Sequence, residues 1–315
     1  MTTLVLGGTG FIGRRLVALL ARRGERVVCM DLNPQAAAGV FDEFGDQIKV
    51  VRGDVTQFDD VMSATLTAQP TRVVNLAFAM GSDFPPRVAL KLNVIGMDNC
   101  FESARLAGVK RVVFASSLAV SGPQVGYGER VVTEDDLCLG RDQYGTHKIF
   151  NECQAQDYRE KYGMEITAVR PANVAGADKV VGSVDHVQCV TLPAAGESVT
   201  FPYRDIMRCP VHVDDMAEIF ARIAMTDSPR YAIYNSGGSP LSMGELAKLV
   251  REFIPEADIR FDNEVGGKDQ SYTYLIDNSR IEREFGFTLP PYRDRVHQMI
   301  NEVRERSGLS VVPVG

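Results

Sequence analysis

The chain has 315 residues, 45% of them apolar and 24% charged, and a formal net charge of -7. That length allows one large domain or two intertwined ones, and the composition is that of an ordinary globular protein. The acidic balance argues against the basic face that nucleic-acid binders need, and no apolar run reaches the roughly 18 residues of a membrane span.

The elements follow in chain order. Met1 runs almost directly into Leu4-Val5-Leu6-Gly7-Gly8, which reads as folded sequence rather than a signal peptide. Short, nearly unbroken Val, Ile and Leu runs at 3–6, 26–31, 48–53, 72–77, 111–116 and 166–170 predict strands buried on both faces. Amphipathic stretches at 13–23, 92–107 and 144–162 predict helices between them. This βαβα order predicts an α/β fold with a doubly wound parallel sheet of Rossmann type, binding ligands at the C-terminal ends of its strands. After Arg170 the pattern loosens under Pro171, Pro193, Pro202 and Pro210. Helices are still predicted at 216–225, 243–253 and 293–306, with a mixed stretch at 259–276. The expected organisation is a dinucleotide-binding domain over 1–170, with returning segments near 211–236, and a smaller C-terminal substrate lobe from 171–210 and 237–315. The tail from Ser307 is expected to fray. Cys29, Cys100, Cys138, Cys153, Cys189 and Cys209 show no C-x-x-C pair, which fits reduced thiols in a cytoplasmic protein.

Gly7, Gly10 and Gly13 fit G-x-x-G-x-x-G, and Gly8, Gly10 and Gly13 fit G-x-G-x-x-G. Lying between a first strand and a first helix, such a loop lets backbone approach a pyrophosphate, which the helix N-terminus then holds. A P-loop is excluded, because Arg14-Arg15 follow the glycines instead of Lys-Ser/Thr. Asp31 ends the second strand, where a carboxylate bonds a ribose diol and repels a 2′-phosphate. Leu32 and Asn33 follow without an arginine, so NAD is predicted over NADP; Arg14 and Arg15 keep NADP as the lesser alternative. Asp54-Val55 are expected at the adenine. Methyltransferases share such a loop and acid, so a second signal is needed.

Tyr144-Gly145-Thr146-His147-Lys148 supplies it. At i and i+4 the phenol and the ammonium share a helix face, and the ammonium is expected to lower the phenol pKa so that Tyr144 can take a proton from an alcohol. Ser117, after the fifth strand, is expected to bind the reacting oxygen, with Ser116 as its rival.

With these motifs in hand, the chain resembles the extended short-chain dehydrogenase/reductases, the NAD-dependent epimerase/dehydratase family. The resemblance runs from about residue 2 to 300 and rests on Gly7–Gly13, Asp31, Asp54-Val55, Asn93–Gly96, Ser116-Ser117, Tyr144–Lys148, Arg170–Val174, His212–Asp215 and Asp277–Arg280. It implies a catalytic Ser117, Tyr144 and Lys148, and a cofactor site of Gly7, Gly10, Phe11, Ile12, Gly13, Asp31, Leu32, Asp54, Val55, Ala77, Asn93, Tyr144 and Lys148. It also implies Asn173 and Arg208 at a substrate phosphate, beside Ser117 and Ser116. A homodimer through a four-helix bundle of the 92–107 and 144–162 helices is implied as well. Departures are as informative. Leu118-Ala119 replace the Asp-Glu of sugar-nucleotide dehydratases, and Thr200–Tyr203 replaces the usual Gly-Asp-Gly. No arginine in 266–275 matches the late one that many members use on a diphosphate.

The resulting expectation is NAD-dependent hydride transfer at a secondary alcohol or ketone, as an epimerase or dehydrogenase of a sugar or sugar nucleotide. The alternative is a dehydrogenase or reductase of a non-nucleotide hydroxy or keto compound. A cofactor-binding regulatory protein without turnover is the third class, opposed by the intact Tyr144/Lys148 pair. No metal is expected: His147, His186 and His297 lack ligand spacing, and His212 with Asp214 and Asp215 reads as a helix start. Cys138 shows no sign of activation. Glu134-Asp135-Asp136 is expected to be a solvated rim.

Overall fold

A computed structural model describes residues 1–80 and 84–313. Thirteen strands and ten α-helices alternate along it. The first half gives β1 (Thr2–Leu6), α1 (Phe11–Arg22), β2 (Arg26–Asp31), β3 (Ile48–Arg52), α2 (Phe58–Ala68), β4 (Arg72–Asn75), α3 (Pro86–Leu90), α4 (Gly96–Leu106), β5 (Arg111–Ala115), α5 (Gln143–Tyr162) and β6 (Glu165–Arg170). The second half gives β7 (Asn173–Ala175), α6 (Asp185–Ala194), β8 (Val199–Tyr203), β9 (Met207–Arg208), β10 (Pro210–His212), α7 (Val213–Met225), β11 (Ile233–Asn235), β12 (Leu241–Ser242), α8 (Met243–Phe253), β13 (Ile259–Asn263), α9 (Ser279–Phe285) and α10 (Tyr292–Arg306).

Seven strands form one sheet in the order β11-β6-β5-β4-β1-β2-β3, every pair parallel. The chain winds one way from β1 to β3 and the other way from β4 onward, so β1 and β4 flank the switch point where an open sheet binds ligands. Leu16, Val17 and Leu20 of α1 pack with Ile219, Phe220 and Ile223 of α7 on one face. Met97, Phe101 and Ala104 of α4 pack on the other with Leu4, Leu6 and Phe114. A separate core joins α6, α8 and α10 through Val190, Leu246, Val250, Met299 and Ile300.

Four helices go beyond the predicted ones. Two of them, α3 and α9, span only 5 and 7 residues, too short to show a period. In α2 only Val61 and Thr65 are buried, and α6 carries Pro193 inside it. Two expectations are corrected. The acidic run is a solvated loop or rim only in part: Asp135 is exposed, but its neighbours are not free. Glu134 is buried, accepts the Asn235 N–H at 2.8 Å and faces Arg280, while Asp136 pairs with Arg130. The tail does not fray at once either: Val312 is tied to Asn301 and His297 of α10. Residues 314–315 lie outside the described part.

Candidate active site

The cofactor end follows from backbone. Gly7 has φ +75°, and a Cβ on it would stand 2.7 Å from the Ala77 nitrogen; a Cβ on Gly13 would run into the Gly7 carbonyl. Thus the ends of β1 and β4 close to van der Waals contact only because glycine has no side chain. The N-terminus of α1, at Phe11, Ile12 and Gly13, has no side-chain cap and no acid in its first turn, so its N–H groups are open to a phosphate. Asp31 accepts N–H bonds from Thr9 at 3.2 Å and Asn33 at 3.1 Å, which fixes its carboxylate beside that loop. Leu32 is exposed next to it. Arg14 and Arg15 are both engaged by Asp178, Arg15 as a two-pronged pair at 2.6 and 2.8 Å. Neither guanidinium is left to welcome a 2′-phosphate. These residues fit a dinucleotide with a free ribose diol.

Other expected cofactor residues serve as scaffold. Asp54 closes a turn by accepting the Thr56 N–H at 2.9 Å, and Val55 is buried where Gly96 of α4 allows close approach. Asn93 sits in a π-helical turn, Lys91–Ile95, and grips Ala79 through both its amide oxygen (2.8 Å) and its amide nitrogen (3.1 Å). It thereby holds the segment after β4, including Ala77, beside α5.

The reacting end is built on α5. Asp142 caps this helix by accepting the Gly145 N–H at 2.6 Å. Gly145 lets its first turn press on the turn 118–120, since a Cβ there would stand 2.7 Å from the Ala119 carbonyl. Tyr144, Lys148 and Glu152 follow at four-residue spacing on one face. Ser117 accepts the Ala119 N–H at 3.1 Å, which aims its hydroxyl beside the Tyr144 phenol. Lys148 is buried and donates to the Ala115 carbonyl at 2.5 Å.

Phe78, which no motif singled out, completes this cluster. Its ring lies edge-on to Tyr144 at 5.2 Å, and Lys148 Nζ stands 3.1 Å from its centre. The expected lowering of the phenol is corrected here. Burial pushes Tyr144 up to about 12, against the opposing hydrogen bond from Ser117. Burial also pulls Lys148 well below the usual lysine range, only partly offset by Glu152. The ammonium is turned to Phe78 and Ala115, with 5.6 Å to the Tyr144 ring.

Ser116 does not rival Ser117. It is buried and donates to Glu152 Oε1 at 2.5 Å. Glu152 in turn holds Arg170 at 2.7 and 2.9 Å. On the lobe side, Asn173 accepts the Cys209 N–H at 2.8 Å and so joins β7 to β10. Arg208 is paired with Asp185. Among the described residues no cluster of three or more His, Cys, Asp or Glu could hold a metal, and no helix is long and apolar enough to cross a membrane.

The family model described as NAD dependent epimerase/dehydratase matches residues 3–237. The UDP-glucose 4-epimerase of Mycolicibacterium smegmatis is 30% identical over 232 residues, 70% of this chain and 72% of that protein. The structure of Thermus thermophilus UDP-glucose 4-epimerase with NAD aligns at a TM-score of 0.83 and 24% identity, over 96% of this chain and 99% of that one. Holo L-threonine dehydrogenase from Cupriavidus necator aligns at 0.84 and 21%, over 95% and 99%. At these identities the two structures carry the fold alone. The chain belongs to the NAD-dependent epimerase/dehydratase family, and it is an enzyme that uses NAD.

Proposed function

We propose that this enzyme oxidises a secondary alcohol of a sugar-class compound through Tyr144, Lys148 and Ser117. The observation that carries this reading is their convergence at the C-terminal end of β5, beside the glycine cradle. The α1 N-terminus would hold the pyrophosphate of NAD, Asp31 would bond its adenosine ribose, and Lys148 would bond its nicotinamide ribose. Bound NAD supplies the hydride acceptor for the hydrogen on the alcohol carbon. Ser117 fixes the alcohol oxygen, and Tyr144, as phenolate, takes the O–H proton. The products are a ketone, NADH and a protonated Tyr144. If the ketone takes the hydride back on its other face, the enzyme is an epimerase; if the ketone leaves, it is a dehydrogenase. Incubation with sugars and sugar nucleotides tests this: net NADH absorbance marks the dehydrogenase, and an epimer without net NADH marks the epimerase. Neither product from any alcohol would overturn the reading. The second reading, a non-nucleotide hydroxy compound as substrate, is favoured by one observation, the pairing of Arg208 with Asp185.

Asp31→Ala is expected to move the kcat/KM preference from NAD toward NADP by about tenfold or more, the effect of roughly 1.4 kcal/mol of lost charge repulsion. An unchanged preference, measured with both cofactors, would remove Asp31 from the ribose.

We also propose a homodimer. Val88, Leu90, Ile95 and Phe150, on the α3–α4 stretch and α5, are exposed large apolar side chains, which suits burial against a second copy. Phe150→Glu should shift the sedimentation mass from two chains to one; an unchanged mass would place any interface elsewhere. All six cysteines are free thiols, which supports a reducing compartment such as the cytoplasm.

A further inference from the structure

Arg208 ends β9, and its fork is already filled. Its Nε stands 3.1 Å from both oxygens of Asp185, and its Nη2 makes a still closer contact. Asp185 opens α6 and also accepts the His186 N–H at 2.8 Å and the Ser183 hydroxyl at 3.3 Å. Lys179 is close enough for its charge to be felt by Asp185, and its Nζ donates to the Val174 carbonyl at 2.7 Å. A guanidinium fork, a helix N-terminus and an ammonium form the donor set that a phosphate asks for. Here a carboxylate of the chain itself occupies it. Burial alone would push that carboxyl up, yet the bonds from His186 and Arg208 hold it well below the usual carboxylate range. Asp185 is therefore a permanent anion near neutral pH.

We propose that Asp185 is an internal anion that closes this seat, so that the substrate is a hydroxylated compound carrying no phosphate at this position. A diphosphate entering the seat would have to displace a bonded carboxylate from Arg208 or lie against it, charge upon like charge. The inference deepens the hydride-transfer reading, and rests on it only for the reacting alcohol. The ion pair selects by exclusion, because it withholds the Arg208 guanidinium from a nucleoside diphosphate.

Titration calorimetry of the NAD-loaded enzyme with UDP and with inorganic pyrophosphate tests it. The native protein should bind UDP no more tightly than about millimolar. Asp185→Asn, which keeps an acceptor for the His186 N–H while removing the charge, should gain about tenfold or more. Adding Arg208→Ala should abolish the gain. Micromolar UDP binding by the native enzyme that Arg208→Ala removes would overturn the proposal. So would the absence of a gain in Asp185→Asn with thermal midpoint and NAD affinity intact. If Asp185→Asn does not fold, Asp185→Ser replaces it, and the native titration decides on its own if neither folds. Binding needs no turnover, so failure here is distinct from failure of the hydride-transfer reading, which NADH and epimer formation report.

Discussion

Tyr144→Phe is expected to lower kcat/KM by about 100-fold or more while leaving NAD affinity nearly unchanged, because it removes the acid-base group and little else. The ring stays: its edge-on contact with Phe78 is made by carbon and is kept in phenylalanine. Only the hydroxyl beside Ser117 is lost, so the thermal midpoint should hardly move. The pH dependence carries the same argument with a definite sign. Burial raises the phenol to about 12, so the phenolate is scarce at neutral pH and grows as pH rises. Alcohol oxidation by the native enzyme should therefore accelerate from about pH 7 to about 10, and the Phe variant should lose that rise. Carbonyl reduction uses the protonated phenol and should not gain in the same way. Steady-state kinetics in both directions, with NAD affinity from fluorescence, checks each point. Activity retained in Tyr144→Phe would remove Tyr144 from the proton transfer.

How much of this was legible beforehand follows from how local each signal is. The glycine loop and the Tyr144/Lys148 pair were readable because each rests on spacing within one turn or one helix. Asp31 was readable because β2 ends on it. Phe78 was not, since its role exists only where the segment after β4 meets α5, more than 60 residues later. Asp185 was equally hidden: Arg208 could be named as a cation, but its counter-charge comes from an unpredicted helix whose pattern Pro193 obscures. The acidic run misled because charge in sequence does not reveal that Arg280 will arrive to cover Glu134. The phenol pKa misled for a related reason. Sequence places an ammonium one turn away, but only the fold shows it turned to Phe78 and Ala115.

Glu152 had one readable trace, its place four residues after Lys148, and it supports the second large prediction. Arg170→Leu is expected to cost about 3–5 kcal/mol, because it strands a buried carboxylate. Arg170 is 3% exposed and Glu152 7%, so water cannot replace the lost partner. At about 2–4 °C per kcal/mol for a large chain, the thermal midpoint should fall by about 6–20 °C. Glu152→Leu should also destabilise, since it leaves the buried guanidinium of Arg170 without its carboxylate. Replacing both with leucine should recover much of the loss, because a buried ion pair exchanged for apolar side chains of similar bulk is often close to neutral. Calorimetric midpoints of the single and double variants close this cycle, and additive losses would contradict a coupled pair. Activity should not recover with stability. Ser116 donates its hydroxyl to Glu152, so the network ties the residue before Ser117 to α5, while backbone bonds from the Ser116 and Leu118 N–H groups to the Val169 and Pro171 carbonyls hold the turn independently. The double variant keeps those backbone bonds but releases the Ser116 side chain from α5, and a displacement of Ser117 by about 1 Å is enough to lower turnover by about 100-fold. A double variant as active as the native enzyme would show that this network serves the fold alone.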